Sequence, residues 1–80
     1  MKKSQQLEED VALKLKIIGR KVSEIRKTIE PNYKRFAEKH KISHMTVWRV
    51  ENGKDYKFST LLQLLKIFQI TPDDFFRGIK

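Results

Sequence analysis

The chemistry this 80-residue chain could perform has to come from a few side chains. His40 and His44 stand four apart, the spacing at which two imidazoles on one helix can share a zinc ion. Here Lys41-Ile42 reads as a turn between them. Lys41 also follows His40 where the His-Glu-x-x-His arrangement needs its glutamate, and no third ligand is evident. The sequence contains no cysteine, so no thiolate site can form. It also has no glycine-rich phosphate loop and no nucleophile elbow. An enzyme, a bound metal or a cofactor is therefore not expected, and no small-molecule effector site is evident.

The strong signal is electrostatic. The net charge is +8 and the sequence pI about 9.9. Between Lys14 and Lys57 thirteen Lys or Arg face five Asp or Glu, so this stretch carries the whole excess. Glu8, Glu9, Asp10, Asp73 and Asp74 balance the ends. Such a field attracts polyanions, nucleic acid among them. By itself it also describes a well-solvated, lysine-rich surface.

Size and composition narrow the class. A chain of this length buries roughly 60–70% of its unfolded surface, enough for one small core and leaving little room for a deep catalytic cleft. Eight aromatic residues argue against general disorder. A secreted domain this small would usually need disulfides. The basic start Met1-Lys2-Lys3-Ser4 leads into no apolar run of signal-peptide length, and none nears the roughly 20 residues of a membrane span. The expectation is a cytoplasmic protein without a membrane partner.

Punctuation divides the chain into helices. Leu7, Val11, Ile18, Val22, Ile25 and Ile29 recur at spacings of three, four and seven, which predicts a helix from about Gln5 to Ile29. Gly19 inside it marks either a break or a close contact with another helix. Pro31 disfavours helix at Glu30. Asn32 can cap a second helix, Tyr33 to about His40, with Phe36 and Ala37 inward. Ser43 can cap a third, with Ile42 and Val47 as its hydrophobic staple and Asn52-Gly53 as its end. After a loop, Lys54 to Phe58, Ser59 can cap a fourth helix. Its Leu61, Leu62, Leu64, Leu65, Ile67 and Phe68 should lie at the centre of the fold. Thr71-Pro72-Asp73-Asp74 starts a fifth, with Ile70 and Phe75 as staple and Gly78 at its end. No alternating run predicts a strand.

The second and third helices carry a specific pattern. From Tyr33, Ala37 follows at four residues, Ile42 at nine, Val47 at fourteen and Val50 at seventeen, and Glu51-Asn52-Gly53-Lys54 comes next. A small residue on one helix lets the next cross closely, and the aliphatics lock the crossing. This spacing resembles the Cro/repressor-type helix-turn-helix family, often called Xre-like. Ile17-Ile18-Gly19-Arg20, Ile25-Arg26-Lys27 and Ile70-Thr71-Pro72-Asp73-Asp74-Phe75-Phe76 resemble it too. The likeness covers residues 17–77, about three quarters of the chain. It implies an all-α, compact five-helix DNA-binding domain, a helical N-terminal extension over residues 1–16 and a short tail over residues 78–80. It also implies sequence-specific binding of double-stranded DNA, transcriptional regulation of the repressor type, and a homodimer on half-sites about 34 Å apart.

Carried over position by position, the resemblance puts Ser43, His44, Met45, Trp48 and Arg49 toward the bases. Arg49 can take a guanine in bidentate fashion, and Met45 and the Trp48 ring can meet thymine methyls or the sugar edge. Asn32, Tyr33, Thr46, Asn52, Lys54 and Lys57 would hold the phosphate backbone, setting register. Arg26 and Glu51 would form a partly buried ion pair between the first and third helices. Each role has a plainer counterpart: Met45 covering the second helix, Trp48 in the core, Arg49 paired with a surface carboxylate, Tyr33 an ordinary surface aromatic. The chain departs from the family at three places. Tyr33 stands where Gln is preferred. Lys41 stands where Gly is preferred, at a turn needing positive φ. His40 replaces an aliphatic residue.

Another class of function fits the same fold: an interaction module, such as an antitoxin or docking subunit. It would use the extension before Ile17 together with Phe75, Phe76 and Ile79, which could equally close the chain's own core. Phe75 and Phe76 are adjacent, so one of them could be exposed. A membrane-surface helix fits poorly, because Pro31 and Gly53 interrupt the basic region. RNA modules usually show an aromatic platform that this sequence lacks.

Overall fold

The computed structural model describes residues 8–79. Among them are five helices and no strand: α1 (Glu8–Ile29), α2 (Tyr33–Lys39), α3 (His44–Glu51), α4 (Phe58–Phe68) and α5 (Pro72–Arg77). The expected start of the first helix at Gln5, and its Leu7, lie outside the described residues. No helix among the described residues is long and apolar enough to cross a membrane.

One core joins all five. Val22 of α1, Phe36 and Ala37 of α2, Val47 and Val50 of α3, Leu61, Leu64, Leu65 and Phe68 of α4 and Phe75 of α5 are buried together. Removing one such side chain from water contributes roughly 1.5–3 kcal/mol for the larger aliphatics and phenylalanine. Ile18, Ile25, Ile42, Ile67 and Ile70 close the margin. The apolar stripe of α1 overruns this core: Val11 and Ile29 are both exposed. The core is too short to cover a helix of 22 residues, about 33 Å at the usual rise. Accordingly the molecule measures 43 Å along its longest axis and 26 Å and 19 Å across.

Gly19 settles as a contact, not a break, since α1 runs through it without interruption. A Cβ there would clash with the Val50 carbonyl oxygen and lie 2.8 Å from that of Glu51. The absent side chain is what lets α3 lie against α1.

Three helices end in one way. After α2, Lys41 is left-handed (φ 58°); the Ile42 N–H donates to the Ala37 carbonyl at 2.9 Å and the Lys41 N–H to Glu38 at 3.2 Å. After α3, Gly53 takes φ 72°; the Lys54 N–H reaches Arg49 at 2.9 Å and the Gly53 N–H Val50 at 3.3 Å. After α4, Gln69 takes φ 62°; the Ile70 N–H reaches Leu65 at 3.0 Å and the Gln69 N–H Lys66 at 3.1 Å. Each is a Schellman closure that satisfies otherwise orphaned carbonyls.

The starts follow the sequence with one correction. Asn32, Ser43 and Thr71 accept hydrogen bonds from the first turns of α2, α3 and α5. Ser59 does not cap α4. The helix begins earlier, at Phe58, with Lys57 in the cap position and no side-chain hydrogen bond there. Burial of Leu61, Leu64, Leu65 and Phe68 fixes the helix phase, so the start needs no capping side chain. Within α4, Leu62 and Phe58 stay exposed.

Candidate nucleic-acid interface

The candidate site is built on α3. Val47 and Val50 are fully buried and fix which way the helix faces. Met45 and Trp48 then stand outward at 49% and 37% exposure, so Trp48 is not a core residue. Arg49 and Asn52 are exposed on the same side. Arg49 makes no ion pair among the described residues. Its guanidinium fork is left with its donors available for a planar acceptor.

The beginning of α3 is set by Ser43, whose Oγ accepts from the Met45 N–H at 3.2 Å. That uses one lone pair and leaves the hydroxyl proton. His44 is exposed, and its ring meets the half-buried Tyr33 edge-on, with centroids 6.1 Å apart. This contact brings the first residue of α2 against the first residue of α3. Thr46 is half-buried.

Asn32 is more committed than its sequence role suggests. Its Oδ1 accepts from Lys34 and Arg35 N–H groups at 3.0 Å each, and its own N–H donates to Glu30 Oε2 at 3.1 Å. Only its amide NH2 remains for a phosphate. At the other end of α3, Asn52 Nδ2 donates to the Trp48 carbonyl at 2.9 Å. Lys54 is held through its backbone to Arg49, and both Lys54 and Lys57 leave their side chains exposed.

Behind this face lies a buried ion pair. Arg26 Nε and Nη2 donate to the two oxygens of Glu51, each at 2.8 Å. Arg26 Nη1 donates to the carbonyls of Glu30 and Pro31 at 3.0 and 2.7 Å. One guanidinium thus ties the end of α1, the turn into α2 and the last turn of α3 together. Its hydrogen bonds to Glu51 raise the Arg26 pKa above the ordinary value, overriding the opposing effect of burial.

Two cations escaped the sequence reading. Lys16 and Arg20, one turn apart on α1, line a shallow depression with Ser23, Glu51 and Asn52. Lys16 packs so closely on Gly53 that a Cβ there would meet its Cγ at 2.7 Å. The i, i+4 spacing of two cations was the available signal, but their nearness to α3 depends on the Gly19 crossing.

His40 is half-buried. Its ring lies 4.7 Å from that of Phe36, and Nε2 is buried without a hydrogen-bond partner. It caps the end of α2, while His44 opens α3, so the two imidazoles do not share a helix. Among the described residues no three His, Asp or Glu side chains gather as a metal site. Compared with protein-family models, curated proteins and solved structures, the chain matches none.

Proposed function

We propose that this chain binds double-stranded DNA in a sequence-specific way and acts as a small, repressor-like transcriptional regulator, with α2 and α3 working as a helix-turn-helix. One observation carries the reading: α3 buries Val47 and Val50 and turns Met45, Trp48 and Arg49 outward. A short helix of that kind, with an uncommitted arginine and apolar groups on its open face, fits the dimensions and donor pattern of a major groove. The +8 charge supports it, since cations on both flanks of α3 would meet phosphates. In this reading Ser43, His44, Met45, Trp48 and Arg49 read bases. Tyr33, Thr46, Lys54, Lys57 and the free NH2 of Asn32 hold the backbone, together with Asn52.

Trp48 is the sole tryptophan, which makes the test direct. Duplex DNA is titrated into the protein at two salt concentrations while its emission is followed. A saturating quench is expected, with log affinity falling by about 0.9 per phosphate contacted for each unit of log salt. Binding with unchanged emission would move Trp48 out of the groove, and no binding at low salt would overturn the reading. The alternative, a docking module on the same fold, is favoured by a different observation: an apolar groove on the far side of α1.

A further inference from the structure

Beside the carboxyl end of α3 lies a depression of about 340 Å³, lined by Lys16, Arg20 and Ser23 of α1 and by Glu51 and Asn52. Lys16, Arg20 and Asn52 are exposed, and Ser23 is half-buried. Backbone contacts fix their positions. Gly19 lets α3 lie on α1, and a Cβ on Gly53 would come within 3.1 Å of the Lys16 Cα. Both cations therefore stand on a helix that packs directly against the loop leading to Lys54. Two turns beyond Gly19, the Arg26–Glu51 pair ties the same helices together.

The charge balance there is positive. Glu51 is the acid among the lining residues, and both its oxygens are taken by Arg26 at 2.8 Å. Glu24, one turn after Arg20, lines a neighbouring depression with Lys21 and makes no ion pair with Arg20. Lys14 lies 3.9 Å from Asp10, and Glu9 is seven residues before Lys16, about 10 Å along the helix. Lys16 and Arg20 thus have no carboxylate partner among the described residues. Ser23 adds a hydroxyl. Asn52 adds one amide N–H, the other being given to the Trp48 carbonyl. An ammonium, a guanidinium, a hydroxyl and an amide N–H make a donor set suited to phosphate oxygens.

Two cations at the carboxyl end of a helix can also serve that helix's dipole. Here the carbonyls of Trp48, Arg49 and Val50 already accept the N–H groups of Asn52, Lys54 and Gly53, at 2.9, 2.9 and 3.3 Å. Little is left at that end for Lys16 and Arg20 to offset.

We infer that Lys16, Arg20, Ser23 and Asn52 form a phosphate clamp, and that the phosphate it takes belongs to the backbone of the duplex met by α3. The inference rests on the helix-turn-helix reading and extends it, carrying the backbone contact of Asn52 and Lys54 from α3 onto α1. Such a contact adds affinity and sets register without base preference. The apolar groove is lined by Leu13, Lys14, Ile17, Ile18, Phe76 and Ile79 and shares no residue with this depression. A docking function there would use other side chains.

The full chain is titrated with duplex DNA at several salt concentrations. Lys16→Gln with Arg20→Gln keeps much of both stems and removes both charges. Lys39→Gln with Lys66→Gln removes the same charge from the last turns of α2 and α4 and is the control. The clamp variant should bind selected and random duplexes about tenfold more weakly and lose about 0.9 from the salt slope, the share of one phosphate. The control should keep the wild-type slope, and both variants should keep the wild-type melting temperature. Duplexes with a neutral methylphosphonate at each backbone position in turn locate the contact using wild-type protein. At the clamped position the wild type should lose about tenfold, and the clamp variant nothing further. Inorganic phosphate tests the other source of the same chemistry. At millimolar concentration it should give no saturable shift of the Ser23 and Asn52 amide signals in NMR spectra. Saturable shifts there, with equal DNA slopes for wild type and clamp variant, would make this a free-anion site and overturn the backbone assignment. Equal slopes with a lowered melting temperature would return the two cations to the end of α3. A wild type that binds duplex with the slope of the clamp variant overturns the clamp alone. A wild type that binds no duplex at low salt overturns the helix-turn-helix reading together with it.

Discussion

Arg26 and Glu51 are 25 residues apart in sequence and meet through two parallel hydrogen bonds of 2.8 Å, with side chains only 4% and 9% exposed. A buried pair is weak evidence of net stability, but losing one partner strands the other charge. Here the loss would also free two carbonyls, of Glu30 and Pro31, in the turn between α1 and α2. Arg26→Met is therefore expected to destabilise the protein by about 3–5 kcal/mol. The neighbouring, exposed Lys27→Met should change it by no more than about 0.5 kcal/mol. Urea midpoints for the two variants decide the point, and equal midpoints would refute it. Combining Arg26→Met with Glu51→Leu should recover much of the loss, because no lone charge remains buried.

The left-handed residues predict gains in stability. Lys41 and Gln69 occupy φ 58° and 62°, where a side chain costs about 1–2 kcal/mol. Glycine removes that strain but adds freedom to the unfolded chain. Lys41→Gly and Gln69→Gly should each stabilise by about 0.5–1 kcal/mol, seen as a raised melting temperature. Gly53→Ala should do the reverse, since it combines the φ 72° backbone with a clash against Lys16.

These closures also mark what was legible in the sequence. Lys41 could be read as a strained turn only through the resemblance, which prefers Gly there, whereas Asn52-Gly53 announced itself by its glycine. Gln69 carried no signal, because nothing local requires glutamine to turn left-handed; the burial of Leu65 and the packing of Ile70 impose it. Ser43 and Thr71 were readable as caps because their hydroxyls act within the first turn. Lys57 was not, because the start of α4 is set by packing. Gly19 allowed two readings until α3 was seen against it. The outward set on α3 followed from the inward one, Val47 and Val50. The nearness of Lys16 and Arg20 to Asn52 depends on a tertiary crossing that no local pattern encodes.

Tyr56 gives the fold an alkaline limit. It is half-buried against the core, and burial raises the pKa of its hydroxyl above 10.0, with the charge of Asp55 adding to the effect. A group whose folded pKa is raised stabilises the fold below its unfolded pKa, and that contribution is lost as pH rises through the folded value. Stability should therefore fall as pH climbs past about 10, the ordinary tyrosine value. Tyr56→Phe should lose less over that window, although it lacks the same hydroxyl at neutral pH. Denaturation midpoints at neutral and alkaline pH test this, and parallel declines for the two proteins would rule Tyr56 out as the cause.

The proposed DNA contacts separate by what they should do to specificity. Arg49 has no carboxylate partner among the described residues, so nothing within the fold competes for its fork. If it reads a guanine, Arg49→Ala should weaken binding to a selected site by about 1–3 kcal/mol while relaxing the preference at one base pair. Lys57 sits at the head of α4 with its side chain exposed, and a phosphate contact carries no base information. Lys57→Ala should therefore weaken selected and random duplexes alike and reduce the salt slope by about one. Sites selected from a random pool, then titrated with each variant at several salt concentrations, measure both quantities. Should Arg49→Ala lower all sequences equally, its role is electrostatic, and the reading of bases must fall to Ser43, His44, Met45 and Trp48.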